Sequence, residues 1–185
     1  MNAQDRALLQ SALENKNMLI VYRDEISAAY YAGIPVLLSA ELAVLAKESD
    51  FTLDGYVALA LRDVTQIEQY DDNDFCRRVF AGEGVYQSAA APGFSGCRNW
   101  QELLAGIRDA FGGWLSVECE SASDTLFYVG VITELTESCL YLRRVDADGT
   151  WHDTPSPVPY EDITLVSFGG NYLRVYSKYC KPPKG

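Results

Sequence analysis

The chain is written twice, and a fold for it must account for both copies. Asn2-Ala3-Gln4-Asp5 and Asn99-Trp100-Gln101-Glu102 each place an Asn helix cap three residues before a carboxylate. That carboxylate can reach back to the cap and complements the positive end of the helix dipole. Apolar residues follow at helical spacing, with Leu8, Leu9, Ala12 and Leu13 in the first copy and Leu103, Leu104, Ile107, Ala110 and Phe111 in the second. Gly112-Gly113 suits a left-handed cap at the end of the second helix.

Four further segments recur in the same order. Met18–Tyr22 matches Trp114–Glu118. Tyr30-Tyr31-Ala32-Gly33-Ile34 matches Phe127-Tyr128-Val129-Gly130-Val131, and Leu38–Leu45 matches Leu135–Leu142. These read as strands, and a glycine inside an apolar strand marks a bend or a close backbone approach. The last block, Leu61–Ile67 against Tyr160–Val166, shares Asp-(Val/Ile)-Thr-x-(Ile/Val). An aromatic follows in each copy (Tyr70 or Phe168), then a tight polar turn and a final expected strand, Arg78-Val79-Phe80 or Arg174-Val175-Tyr176.

The spacing drifts from about 96 to 99 residues, as when insertions fall in turns. The expected organisation is residues 1–81 as the first repeat, 82–98 as a Gly/Ala/Pro-containing linker, 99–180 as the second repeat and 181–185 as a basic tail. Within the linker, Val85, Tyr86 and Phe94 are candidates to anchor it to a neighbouring surface. The expected fold is mainly β with two short helices, each repeat being one helix followed by a small, bent, antiparallel five-stranded barrel.

In that order of elements the chain resembles the Sm-like (LSm) small barrels, in two tandem copies covering most of its length; an SH3-like barrel presents almost the same pattern. Gly33 and Gly130 would be the bent-strand glycines. The resemblance implies assembly through edge strands and, in much of the family, binding of single-stranded RNA. Carried over by position, the RNA-binding residues would be Ser39, Glu41 and Arg62 in the first copy and Thr136, Glu137 and Glu161 in the second. The family's first RNA loop typically carries Asp and Asn beside an apolar residue, and its second an Arg-Gly pair. Here the turns read Ser39-Ala40-Glu41 and Thr136-Glu137-Ser138, and Arg62 is matched by Glu161.

Charge bears on the same choice. The formal net charge is -11, and residues 1–88 alone carry seven basic against fourteen acidic side chains. Such a surface repels phosphate, so nucleic acid is a disfavoured partner. No apolar run is long enough for a membrane span, and the N-terminus has no secretory pattern, so the expectation is a cytoplasmic protein with no membrane contact.

Other chemistry-bearing residues form no recognised site. The five cysteines (Cys76, Cys97, Cys119, Cys139, Cys180) lack a Cys-x-x-Cys pair and read as reduced thiols. His152, the only histidine, falls in a hairpin arm. Asp71-Asp72-Asn73-Asp74 and Asp146-Ala147-Asp148-Gly149 read as turns before they read as cation loops. Gly82-Glu83-Gly84 and Gly93-Phe94-Ser95-Gly96 lack the Gly-Lys-Ser/Thr of a phosphate loop. The tail lysines, Lys178, Lys181 and Lys184, read as solvated.

The sequence therefore points to a non-enzymatic binding or assembly module that needs no cofactor or metal. Its expected partner is itself, as a homo-oligomer, or another protein. RNA binding is the first alternative, and an enzyme with a carboxylate site between the barrels is the second.

Overall fold

The computed structural model describes residues 1–70, 74–120 and 125–180. Both capped helices form as their sequences dictate. Helix α1 (Ala3–Asn15) is capped by the Asn2 side chain, which accepts from the Asp5 N–H while donating to the Asp5 carboxylate. Helix α4 (Trp100–Phe111) is capped by the Asn99 side chain, which accepts from the Glu102 N–H, while the Glu102 carboxylate accepts from Arg98; the helix ends on Gly112 in the left-handed conformation.

Each helix is followed by five strands. In the first copy these are β1 (Leu19–Arg23), β2 (Ser27–Leu38), β3 (Leu42–Ser49), β4 (Thr52–Ala60) and β5 (Gln66–Gln69). In the second they are β6 (Trp114–Glu120), β7 (Thr125–Leu135), β8 (Cys139–Arg144), β9 (Ser156–Pro159) and β10 (Leu165–Phe168). A single-turn 3-10 segment precedes the last strand of each copy, Leu61–Asp63 and Tyr160–Asp162.

The strands form one antiparallel sheet in the order β5-β1-β2-β3-β4-β10-β6-β7-β8-β9. The two five-strand blocks thus repeat one internal order, and they join where β4 pairs with β10. This corrects the picture of two separate closed barrels: the blocks share a continuous hydrogen-bonded sheet whose end strands, β5 and β9, are not paired to each other.

The repeat extends to the bend in its longest strand. The ladder is interrupted between Pro35 and Leu37 in β2 and between Ile132 and Glu134 in β7. Two residues before each bulge stand Gly33 and Gly130. A Cβ at Gly33 would collide with the Ala46 carbonyl oxygen, and one at Gly130 with that of Arg143. Both glycines are therefore required by a close backbone approach on the neighbouring strand.

The core explains the apolar runs in β3 and β4. Ala43, Leu45, Val57 and Leu59 pack with α1 and β1. On the opposite face, Leu42, Val44, Ala58 and Ala60 pack with α4 and the second block. Strands buried on both faces read as continuous apolar sequence rather than alternation.

Five α-helices are present among the described residues, not two. The segments expected to be final strands are helices α2 (Asp74–Gly82) and α5 (Asn171–Tyr179). Their β-branched and aromatic residues suggest strand, but tertiary contacts decide otherwise. Phe80 is wholly buried against the first block, and Leu173 packs against the second. The Asp54 carboxylate, from the first block, accepts the Asn171 N–H at 2.6 Å and so holds the start of α5.

The stretch between the blocks contains a short helix, α3 (Val85–Ser88), and is packed rather than loose: Val85 and Phe94 are 2% and 1% exposed. The Asp71-Asp72-Asn73 turn and the 181–185 tail lie outside the described residues. Among the described residues, no helix is long and apolar enough to cross a membrane.

Gly33→Ala and Gly130→Ala should each destabilise the protein by about 1–3 kcal/mol, because the added methyl meets backbone rather than a movable side chain. Urea titration of both variants measures this; unchanged midpoints would show that the strands do not approach as described.

Candidate functional site: the seam between the repeats

The β4–β10 junction is flanked by a buried aromatic cluster and a buried ion pair, one at each end. At one end an aromatic cluster crosses the seam. Tyr56 of β4 stacks on Phe168 of β10 with ring centroids 5.2 Å apart, and Phe94 and Phe111 pack edge-on against Phe168. One cluster thus joins the first block, the connector and the second block.

At the other end is a buried ion pair. Arg23, the last residue of β1, is 0% exposed, and its Nη1 lies 2.5 Å from Glu120 Oε2 at the end of β6; the Glu120 side chain is only 5% exposed. The Tyr31 ring lies under the guanidinium, 5.2 Å from its centre, and its hydroxyl accepts from Nη2. Thr164 Oγ1 lies 2.8 Å from Glu120 Oε2. Arg23 Nε has no hydrogen-bond partner. Removing one member of such a pair leaves the other charge buried and uncompensated.

Further carboxyls crowd this end. Burial pushes the pKa of Asp63 up, and its Oδ2 is buried without a hydrogen-bond partner. Burial also raises Glu118, with Glu120 adding to the effect while Arg23 and Lys47 oppose it. The Cys119 thiol is pushed up to about 11, by burial first and then by Asp162 and Glu120. It is therefore protonated near neutral pH and is a poor nucleophile. All five cysteines are free thiols.

The residues singled out from sequence are distributed around this junction. Arg62 is a bridge: its Nη2 donates to the Glu161 and Ile163 carbonyls of the second block at 2.7 and 2.9 Å. Arg62, Glu161 and Glu41 line one open cavity of about 510 Å³, together with Arg6 and Trp100. Ser39 and Thr136 act locally. Their hydroxyls accept the N–H of Leu42 and Cys139, tightening equivalent turns. Their carbonyls receive equivalent contacts from the helices, Arg6 Nη2 to Ser39 and Gln101 Nε2 to Thr136. Glu137 is exposed in the same turn as Thr136.

A second open cavity, of about 470 Å³, lies on the other side of the 3-10 turns and is lined by Asp63, Cys119, Glu120, Glu161 and Asp162 among others. Carboxylates do converge between the blocks, as the enzyme alternative requires. Glu120, however, is already held by Arg23 and Thr164. His152 is remote from this group: its Nε2 pairs with Asp146 Oδ1 at 2.9 Å within its own hairpin. Among the described residues, no group of three or more His, Cys, Asp or Glu side chains is arranged to hold a metal ion.

Sequence reasoning missed Arg23 and Glu120. The signal was present in the repeat: Arg23 occupies an interior position of β1, in phase with buried Leu19 and Val21, whereas its counterpart in β6 is Cys119. A charge at one interior position and a small apolar residue at its equivalent mark a place where the copies differ in partner. No protein-family model, curated protein or solved structure matches the chain.

Glu120→Ala should cost about 3–5 kcal/mol, while an apolar replacement of both partners, Arg23→Met with Glu120→Leu, should recover most of the loss. A cost below about 1 kcal/mol would mean that the pair behaves as a solvated surface bridge.

The pH dependence has a defined sign. Asp63 and Glu118 bind their protons more tightly in the folded chain, so folding is favoured when they are protonated. That stability is lost as pH rises from the ordinary carboxylate range, about 4, through their raised values. Glu118→Gln should flatten this decline in a urea-midpoint-versus-pH series, and a slope identical to that of the native chain would remove Glu118 as its source.

Proposed function

We propose that the protein is a non-enzymatic assembly module that works by pairing sheet edges. One observation carries the reading: β10 holds β4 along its outer edge, and its repeat counterpart, β5, presents the same edge with no strand beyond it among the described residues. The Tyr70 N–H donates to the Met18 carbonyl on the β1 side. Because N–H groups alternate sides along a strand, those of Ile67 and Gln69 face outward. In β10 the equivalent positions, Val166 and Phe168, face β4. An open edge of this kind is a template for another strand.

The proposed partner is a second copy of the chain. The chemistry of the seam supports a structural role over catalysis, because Glu120 is already held by Arg23 and Thr164 and the Cys119 thiol is protonated near neutral pH. It also supports protein over RNA, since the arginine that an RNA reading relies on donates to backbone carbonyls across the seam.

Light scattering of the eluted particle, with its ultraviolet absorbance ratio, tests this. The expected result is a nucleic-acid-free particle heavier than one chain, reduced to one chain by Ile67→Pro, which removes an outward donor from β5. A monomer at every concentration, or a particle carrying nucleic acid, would contradict the proposal.

A further inference from the structure

Two edges end the sheet, and they are not equivalent. β9 is the repeat counterpart of β4, so a head-to-tail contact, β9 of one copy on β5 of the next, would be the obvious way to continue the internal seam between molecules. Continued indefinitely, it would give a ring or a filament. Three differences between the free ends and the seam oppose that contact.

The first is in the hydrogen-bond donors of β9. In β4 the Leu61 N–H donates to Glu41 on the β3 side, while the Ala60 N–H donates to Thr164 on the β10 side. By alternation, Ala58 also turns its N–H to β10. In the second copy the Tyr160 N–H donates to Ser138 on the β8 side, the counterpart of the Leu61 bond. The outward-facing positions of β9 are therefore 157 and 159, and both are proline. Where β4 offers two alanine N–H groups to its neighbour, β9 offers none. Proline with its donor side toward solvent is a recurrent way of blunting a sheet edge.

The second difference is the missing ion pair. Glu120 of the second block reaches Arg23 of the first. The residue of the second block equivalent to Arg23 is Cys119, which offers no charge to an incoming carboxylate. The third is in β5 itself. Leu165 of β10, 0% exposed, packs into the core of the first block, and its counterpart in β5 is the exposed Gln66. A head-to-tail contact would press a glutamine where the seam buries a leucine.

We infer that the β9 edge is closed to strand addition by Pro157 and Pro159, so that association stops at a two-fold dimer in which β5 pairs antiparallel with β5 of a second copy. The dimer rests on the assembly reading above; the closure of β9 does not. Pairing about an axis through Ile67 lets its N–H and carbonyl exchange bonds with those of the other Ile67, and brings each Gln69 N–H to the other chain's Thr65 carbonyl. In this register each Gln66 faces the other copy's Glu68, an amide against a carboxylate. Within one chain these two side chains already bond at 2.6 Å. Two glutamates are not placed directly opposite each other, which would be unfavourable.

The test is a mass measurement over a wide concentration range on the native chain, on Pro157→Ala/Pro159→Ala, and on that double variant with Ile67→Pro added. The alanines copy Ala58 and Ala60 of β4. Native protein is expected at twice the chain mass with no growth on concentration. The double variant is expected to grow beyond two chains as concentration rises, and Ile67→Pro is expected to abolish that growth. Circular dichroism confirms that each variant is folded; because the prolines lie on an edge strand, their replacement leaves the ladder to β8 intact. A folded double variant that never exceeds the native mass would overturn the closure by proline. Native protein that grows past two chains would overturn it as well. A native monomer whose double variant still associates would uphold the closure and overturn the β5 dimer, separating the two claims.

Discussion

The structure depends on the backbone pairing of β4 with β10. Neither block finishes its own sheet: β4 leaves an unpaired edge at the end of one copy, and β10 an unpaired edge at the start of the other. Pairing them satisfies both rows of N–H and carbonyl groups, which cannot be left unbonded in a buried setting without a cost of about 1–3 kcal/mol each. The pairing also fixes what happens on either side. It lays Leu165 into the first core and Ala58 and Ala60 into the second, and it brings Tyr56 onto Phe168 at one end and Arg23 onto Glu120 at the other.

These two ends contribute in different ways. The aromatic cluster adds non-directional stability through buried area. The ion pair is a weak source of net stability but a strict one, because any other register of β4 on β10 would leave both charges buried and unpaired. The Arg62 contacts to the Glu161 and Ile163 carbonyls reinforce the same register from outside. An acidic chain thus places two of its ten arginines on the surface where its halves meet.

Much of this organisation was legible in the sequence, and for physical reasons. The Asn caps and the bend glycines are local devices, and both copies carry them, so repetition separated signal from chance. Helices α2 and α5 were not legible, because Arg78-Val79-Phe80 and Arg174-Val175-Tyr176 have strand-like composition and their helical state is set by distant partners such as Asp54. Strand β4 was passed over because it lies outside the blocks that match between copies. Of the candidate site, Arg62 and Glu161 were found by position in the repeat, though their observed contacts join the halves. Arg23 and Glu120 were not found, since ion pairing across 97 residues leaves no local pattern; the Arg23–Cys119 mismatch was the available clue.

The claim that the seam makes one cooperative body of two repeats can be tested on the intact chain. All three tryptophans, Trp100, Trp114 and Trp151, belong to the second copy, whereas far-ultraviolet circular dichroism reports on both. Urea unfolding followed by the two probes should give superimposable single transitions, because losing either half exposes the core and edge of the other. A biphasic dichroism curve, with tryptophan fluorescence following only one of its steps, would show that the repeats unfold independently and would contradict the account.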